Sequence, residues 1–317
     1  MSEGVGTRSG RGRALVRVTV SALLLAFLAW KVPLADVGAA LGRVPPLGVL
    51  LCVLVLAVQT VVGAMRWRRM LIRTGERPAL LALIEDSLVG AAYNLVLPSS
   101  VGGDVVRAHR AGRRLSVRHH AWSTALFERM IGLPTLAAVA APGILVVPGG
   151  ESLLWPTVVI AAISAVLLVV ADAPLRFASR LLLARSPALA EMADGVAGDL
   201  SGPLATAGAR AEAVAWSLLY QVLSVSILAA AVLPTGDLGL VRAIYAGVPL
   251  VVIGTMVPVS AGGFGVRESL FVVVLARLGV DRGTALALSL IWLGTSVLLA
   301  VPGVALAIAR PVDGEKG

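Results

Sequence analysis

The sequence predicts an all-α polytopic membrane protein built from two inverted-topology repeats, with about six spanning helices and two re-entrant hairpins. Three observations predict it. The chain is 58% hydrophobic and 14% charged, with a mean hydropathy of +0.92. Its apolar runs recur at about 20 residues, the length a helix needs to cross a bilayer at about 1.5 Å per residue. The second observation is an internal repeat. Pro98-Ser99-Ser100-Val101-Gly102-Gly103-Asp104-Val105-Val106-Arg107 returns 160 residues later as Pro258-Val259-Ser260-Ala261-Gly262-Gly263-Phe264-Gly265-Val266-Arg267, with Pro, Ser, Gly, Gly, Val and Arg shared. The third is the placement of the arginines, which crowd into a few loops.

Taken in order, residues 1–13 are polar and Gly/Arg-rich, and a disordered cytoplasmic tail is expected there. Residues 14–310 form one integral membrane domain, and 311–317 a short tail. The first span is expected at 14–32, uncleaved, since no small-residue cleavage site follows it. The second falls at 47–65. A basic turn follows, with Arg66, Arg68, Arg69, Arg73 and Arg77. Residues 79–97 are apolar yet carry Glu85, Asp86 and Asn94, and they stop at Pro98. A second basic stretch holds Arg107, Arg110, Arg113, Arg114 and Arg118. Spans three and four are expected at 121–147 and 154–171. Residues 172–212 mix arginines with Leu175, Phe177, Leu181 and Leu182, the pattern of an interfacial helix. Span five is expected at 213–233, a second broken segment at 241–280, and span six at 284–309.

The positive-inside rule orients these elements. The two arginine-rich stretches, 66–77 and 107–118, both belong on the cytoplasmic side. The segment between them must then enter and leave by one face, as a re-entrant hairpin. The N-terminus, the C-terminus and 172–212 fall inside too. The loops at 31–46, 148–153, 234–240 and 277–283 fall outside, so 241–280 is a hairpin opening from the opposite face. Repeat one (14–147) and repeat two (154–309) each make three full crossings. An odd number inverts one repeat against the other, the plan of many carriers whose site lies between the halves.

Irregular backbone at membrane depth survives only where protein or water covers it. Two Gly-Gly breaks at matching positions therefore predict a shared polar cavity. Gly102, Gly103, Gly262 and Gly263 allow close backbone approach to a ligand, or simply a tight hairpin tip. Ser100 and Ser260 bind a headgroup or cap helices. Arg107 and Arg267 suit bidentate phosphate binding; for Arg107, beginning a basic loop, snorkelling to the interface is the competing reading. Glu268 and Asp104 are their local partners. Glu128 and Arg129 lie inside span three, where ionisable groups are expensive and read as functional. Being adjacent on a helix, they should find different partners. Asn94 and Glu85 line the first hairpin. The acids Glu85 and Asp86 face a cationic headgroup, a proton, or the arginines of the next loop.

Other chemistry is not indicated. Net charge is +9, but it resides in loops between spans, so no nucleic-acid partner is expected. Cys52 is the single cysteine, which excludes an internal disulfide and a thiolate metal cluster. His109, His119 and His120 lie in a basic loop without an acid in sequence to complete a metal set. Trp67, Trp122 and Trp155 fall near span ends and read as interfacial anchors. No nucleophile–base pair, nucleotide-binding loop or cofactor motif is visible.

The ordered set Arg66-Trp67, Asn94-x3-Pro98-x3-Gly102-Gly103-Asp104-x2-Arg107, Glu128-Arg129-x2-Gly132 and Pro258-x-Ser260-x-Gly262-Gly263-x-Gly265-x-Arg267-Glu268 resembles the lysylphosphatidylglycerol synthase transmembrane-region family. The resemblance covers roughly 14–309. In the best-known members this region precedes an aminoacyl-transferase domain and moves the aminoacylated phospholipid across the bilayer. Here the chain stops at Gly317, so the resemblance implies the translocating half alone. It implies a flippase-like protein of the cytoplasmic membrane, without catalysis, handling a lipid with an anionic phosphate headgroup. An accessory role beside a lipid-modifying enzyme or glycosyltransferase is the alternative, and an integral-membrane lipid phosphatase or transferase a more distant one.

Overall fold

The computed structural model describes residues 34–96, 102–170, 172–182, 186–256 and 265–309. The expected first span at 14–32 and both hairpin tips lie outside these residues. The described chain is helical: α1 (Leu34–Gly42), α2 (Pro46–Arg73), α3 (Leu80–Val96), α4 (Gly102–Gly112), α5 (His119–Val146), α6 (Glu151–Val170), α7 (Asp172–Leu182), α8 (Pro187–Ser201), α9 (Ala207–Val232), α10 (Leu238–Thr255), α11 (Val266–Ala276) and α12 (Arg282–Ala309).

Five helices are long and apolar enough to cross a membrane: α2, α5, α9 with its 3-10 extension to Thr235, α10, and α12. The protein is therefore multi-pass. Large apolar side chains stay on the outside of these helices, among them Leu50, Leu54 and Val58 on α2 and Val297, Val301 and Ile308 on α12. Such a surface is stable only against lipid or another protein. The expected spans two, three, five and six correspond to α2, α5, α9 and α12. Span four corresponds to α6, a helix of 20 residues. One element departs from expectation: the first leg of the second hairpin, α10, has a full 18 residues at spanning hydropathy.

The internal repeat is visible in the packing. Shifted by 160 residues, α2, α3, α4 and α5 fall on α9, α10, α11 and α12 within a few residues. Helix pairs exchange accordingly. α2 packs on its own counterpart α9, while α3 packs on α12 as α5 packs on α10. Within each repeat the two hairpin legs pack together, and the second leg packs on the long helix that follows.

The repeated Pro-Gly dipeptide explains the crossed pairs. A Cβ at Gly143 would lie 2.6 Å from the backbone nitrogen of Ala246 on α10. At Gly303 it would lie 2.0 Å from the carbonyl oxygen of Leu88 on α3. Both glycines are thus required where a long helix of one repeat meets the first hairpin leg of the other. Pro142 and Pro302 precede them inside the helices, where a missing N–H and a ring clash disrupt the helical ladder.

Polar side chains close the basic end of the molecule. Glu76, in the turn after α2, accepts from the backbone N–H of Ser116 (3.2 Å) and Val117 (3.0 Å) and meets His120 Nδ1 at 3.1 Å. Burial raises its carboxyl pKa, but the bonds from Val117, Ser116 and His120 outweigh this and hold it below the usual carboxylate range. The described residues of segment 172–212 are mostly helical, in α7, α8 and the start of α9. α7 exposes Phe177 and Leu181, and α8 packs on both α7 and α5.

Candidate functional site: a charged cavity between the repeats

A cavity of about 440 Å³ lies among α2, α3, α4, α5, α9, α10 and α12, so both repeats contribute to its wall. Helical periodicity builds one side of it. Gln59, Gly63 and Arg66 of α2 follow each other at four and three residues and share a face. Val252, Thr255 and Met256 close it from α10, and Trp292 and Leu299 from α12.

Five charged side chains border the cavity, and they form one alternating chain. Glu128 is 3% exposed. Its Oε1 accepts from Arg66 Nε at 2.7 Å and its Oε2 from Arg107 Nη2 at 3.0 Å. Arg107 Nε in turn lies 2.9 Å from Asp104 Oδ1, and Asp104 Oδ2 accepts from Arg129 Nε at 2.5 Å. The order is Arg66, Glu128, Arg107, Asp104, Arg129: three guanidinium groups and two carboxylates, a net charge of one positive. Two of the three arginines also lie over aromatic rings, Arg107 over Trp67 at 4.6 Å and Arg66 over Tyr220 at 4.5 Å. Cation–π contact of this kind is strongest where water is excluded.

The hairpin is shaped to present these groups. α3 and α4 cross at Gly90 and Gly103, where a Cβ on Gly103 would lie 2.1 Å from the Gly90 carbonyl oxygen. Asn94 Oδ1 accepts from the Gly103 N–H at 2.7 Å, near the start of α4. Asp104, the next residue, and Arg107, a turn further on, then border the cavity. Asp86, fully buried on α3, pairs with Arg110 at 3.1 Å and with Arg114, tying the two legs together.

The structure thus brings together Asn94, Gly103, Asp104, Arg107, Glu128 and Arg129 of the expected site. Glu128 and Arg129 have different partners, as helical geometry demands. Arg107 points into the protein, 14% exposed, instead of snorkelling. Of the two hairpin acids, Asp86 meets the arginines of the following stretch; Glu85 is half-buried on α3 and does not border the cavity. Gly102 begins α4 outside the cavity wall. Ser100, Ser260, Gly262 and Gly263 lie outside the described residues. Arg267 and Glu268 pair with each other, Nε to Oε1 at 3.0 Å. Glu268 Oε2 also accepts from the Gly265 N–H at 2.6 Å, at a glycine with φ of 81°. Neither Arg267 nor Glu268 is among the described residues of the cavity wall.

The repeat explains this asymmetry. Glu128 and Arg129 align with Leu288 and Ser289, so repeat two carries no carboxylate at the position equivalent to Glu128. Glu268, adjacent to Arg267, takes that part.

Two sequence readings are corrected. Trp67 is not an interfacial anchor: it is completely buried and donates to Thr124 Oγ1 at 3.0 Å. Trp155, by contrast, is 73% exposed. His119 and His120, expected in a basic loop without an acid, open α5 instead, and Asp199 of α8 reaches them. Sequence reasoning also missed Arg66, assigned to the basic turn because it lies one residue past the expected span. The helix runs on to Arg73, and Gln59-x3-Gly63-x2-Arg66 was the signal for an inward face.

The family model described as the lysylphosphatidylglycerol synthase TM region matches residues 14–303, nearly the whole chain. The chain belongs to this family. No curated protein matches it. The matched region includes every charged residue of the cavity, so the network is a feature of this family member's membrane domain itself.

Proposed function

We propose that this family member is a flippase-like lipid translocase of the cytoplasmic membrane, moving a phospholipid or polyprenyl-linked lipid by its anionic phosphate headgroup. The observation that carries the reading is the alternating chain in the cavity, which ends in arginine on both sides. One excess positive charge at a water-poor site matches one phosphodiester anion. Arginine forks bind phosphate oxygens in pairs. Arg129 is the most exposed of the three, at 30% of its side chain. It meets an entering headgroup first, and the phosphate then competes with Asp104 and Glu128 for Arg107 and Arg66. The exchange of one anionic partner for another keeps every guanidinium paired throughout, which keeps the barrier low.

Inverted repeats with cytoplasmic termini and two re-entrant hairpins complete the mechanism. The crossed pairs α3–α12 and α5–α10 act as the surfaces on which one repeat rocks against the other. Any amine on the headgroup meets Glu128 or Asp104. An ion or lipid gradient supplies the drive.

The test is reconstitution into vesicles of phosphatidylglycerol and phosphatidylethanolamine doped with a fluorescent phospholipid or a polyprenyl phosphate. Wild type is expected to move one of these lipid classes between leaflets. Arg129→Gln, which leaves the Glu128 bridge intact, is expected to slow movement about tenfold, the effect of about 1.4 kcal/mol, while retaining the wild-type melting temperature. Absence of movement of both lipid classes, or movement untouched by Arg129→Gln, argues against the reading. Movement only beside a co-reconstituted lipid-modifying enzyme assigns the accessory role.

A further inference from the structure

We infer that His119, His120 and Asp199 form a binding site for one divalent metal ion of the zinc class, clamping the interfacial helix α8 to the start of α5. It is separate from the charged cavity and independent of the transport reading.

The donors come from distant parts of the chain. His119 and His120 open α5, and Asp199 sits near the end of α8. Their ligand atoms all lie within 4.8 Å of one another. His119 Nε2 is 3.8 Å from Asp199 Oδ2, and His120 Nε2 is 3.6 Å from Asp199 Oδ1. These separations are too long for direct hydrogen bonds. They are close to what a shared ion requires: donors each about 2.0–2.2 Å from a tetrahedral zinc lie about 3.3–3.6 Å apart.

The surroundings orient the donors. His120 Nδ1 is 3.1 Å from Glu76 Oε1. An ionised carboxylate only accepts, so Nδ1 carries the hydrogen, and Nε2 is the ring nitrogen that faces Asp199. A carboxylate behind the imidazole is also the usual support of a metal-bound histidine. Ser123 Oγ donates to Asp199 Oδ2 at 2.5 Å and fixes that carboxylate. Gly195 makes room for the site: a Cβ there would lie 2.5 Å from the His119 ring. Two imidazoles and one carboxylate suit a zinc-class ion, with a fourth position open to water.

The experiment uses the full-length protein in detergent, stripped by a chelator and loaded with Zn²⁺. Bound metal is measured by mass spectrometry after desalting, and Co²⁺ substitution is followed by visible absorption. Wild type is expected to hold about one ion per chain and to melt at a higher temperature when loaded. Asp199→Asn removes a ligand oxygen's charge and should abolish retention. Glu76→Gln keeps all three ligands and should weaken binding about tenfold. Wild type holding no metal, with the same melting temperature loaded and stripped, overturns the site without reference to any variant. Equal retention by wild type and the double variant His119→Gln/His120→Gln overturns it as well.

Discussion

At the scale of single residues, the cavity chain is governed by the cost of leaving a charge unpaired in a low-dielectric interior. Glu128 holds two arginines at once, from α2 and from α4. Removing one member of a buried ion pair costs about 3–5 kcal/mol, because its partners remain buried and charged. Glu128→Ala is therefore expected to lower stability by about that amount, read as a large fall in melting temperature in detergent. The double variant Glu128→Leu/Arg66→Met should recover part of the loss, since it removes both charges of one pair together. Arg129→Gln perturbs a half-exposed end of the chain and should leave stability almost unchanged, so transport and folding can be measured apart.

At the scale of elements, the repeat is maintained by backbone contact more than by side-chain chemistry. Gly143 and Gly303 sit at equivalent places and each touches the opposing repeat's backbone. Gly303→Val must separate α12 from α3, because its Cβ would overlap the Leu88 carbonyl at 2.0 Å. Overpacking of this kind costs about 1–3 kcal/mol, and more where backbone must move. Gly303→Val is expected to lower the melting temperature clearly, whereas Gly294→Ala on the same helix, with open space at its Cβ, should be neutral. The same comparison accounts for Pro-Gly standing in both repeats while Glu128-Arg129 aligns with Leu288-Ser289. A helix crossing is needed twice, but a charge-pairing acid is needed only where the cavity holds its arginines.

At the scale of the whole molecule, the arrangement of basic residues makes a topological prediction. Arg113, after α4, and Thr235, after α9, are both exposed. In a Cys52→Ala background, Arg113→Cys is expected to react with a membrane-impermeant maleimide only from the cytoplasmic face, and Thr235→Cys only from the outer face. Labelling of both from one face would contradict the inverted arrangement and with it the rocking mechanism.

Membrane insertion, the helical class, the 160-residue repeat and the family were legible in the sequence, because each follows from local composition or from spacing along the chain. Asn94, Asp104, Arg107, Glu128 and Arg129 were legible as charged or polar residues at membrane depth, where such groups are too costly to be incidental. Their partnerships were not. Arg66 joined Glu128, Trp67 moved from the interface to the core, and Asp199 arrived beside His119 and His120 from another helix. Each of those outcomes depends on where helices cross. Crossings are set by glycines and opposing surfaces far apart in the chain, a property that only the tertiary structure decides.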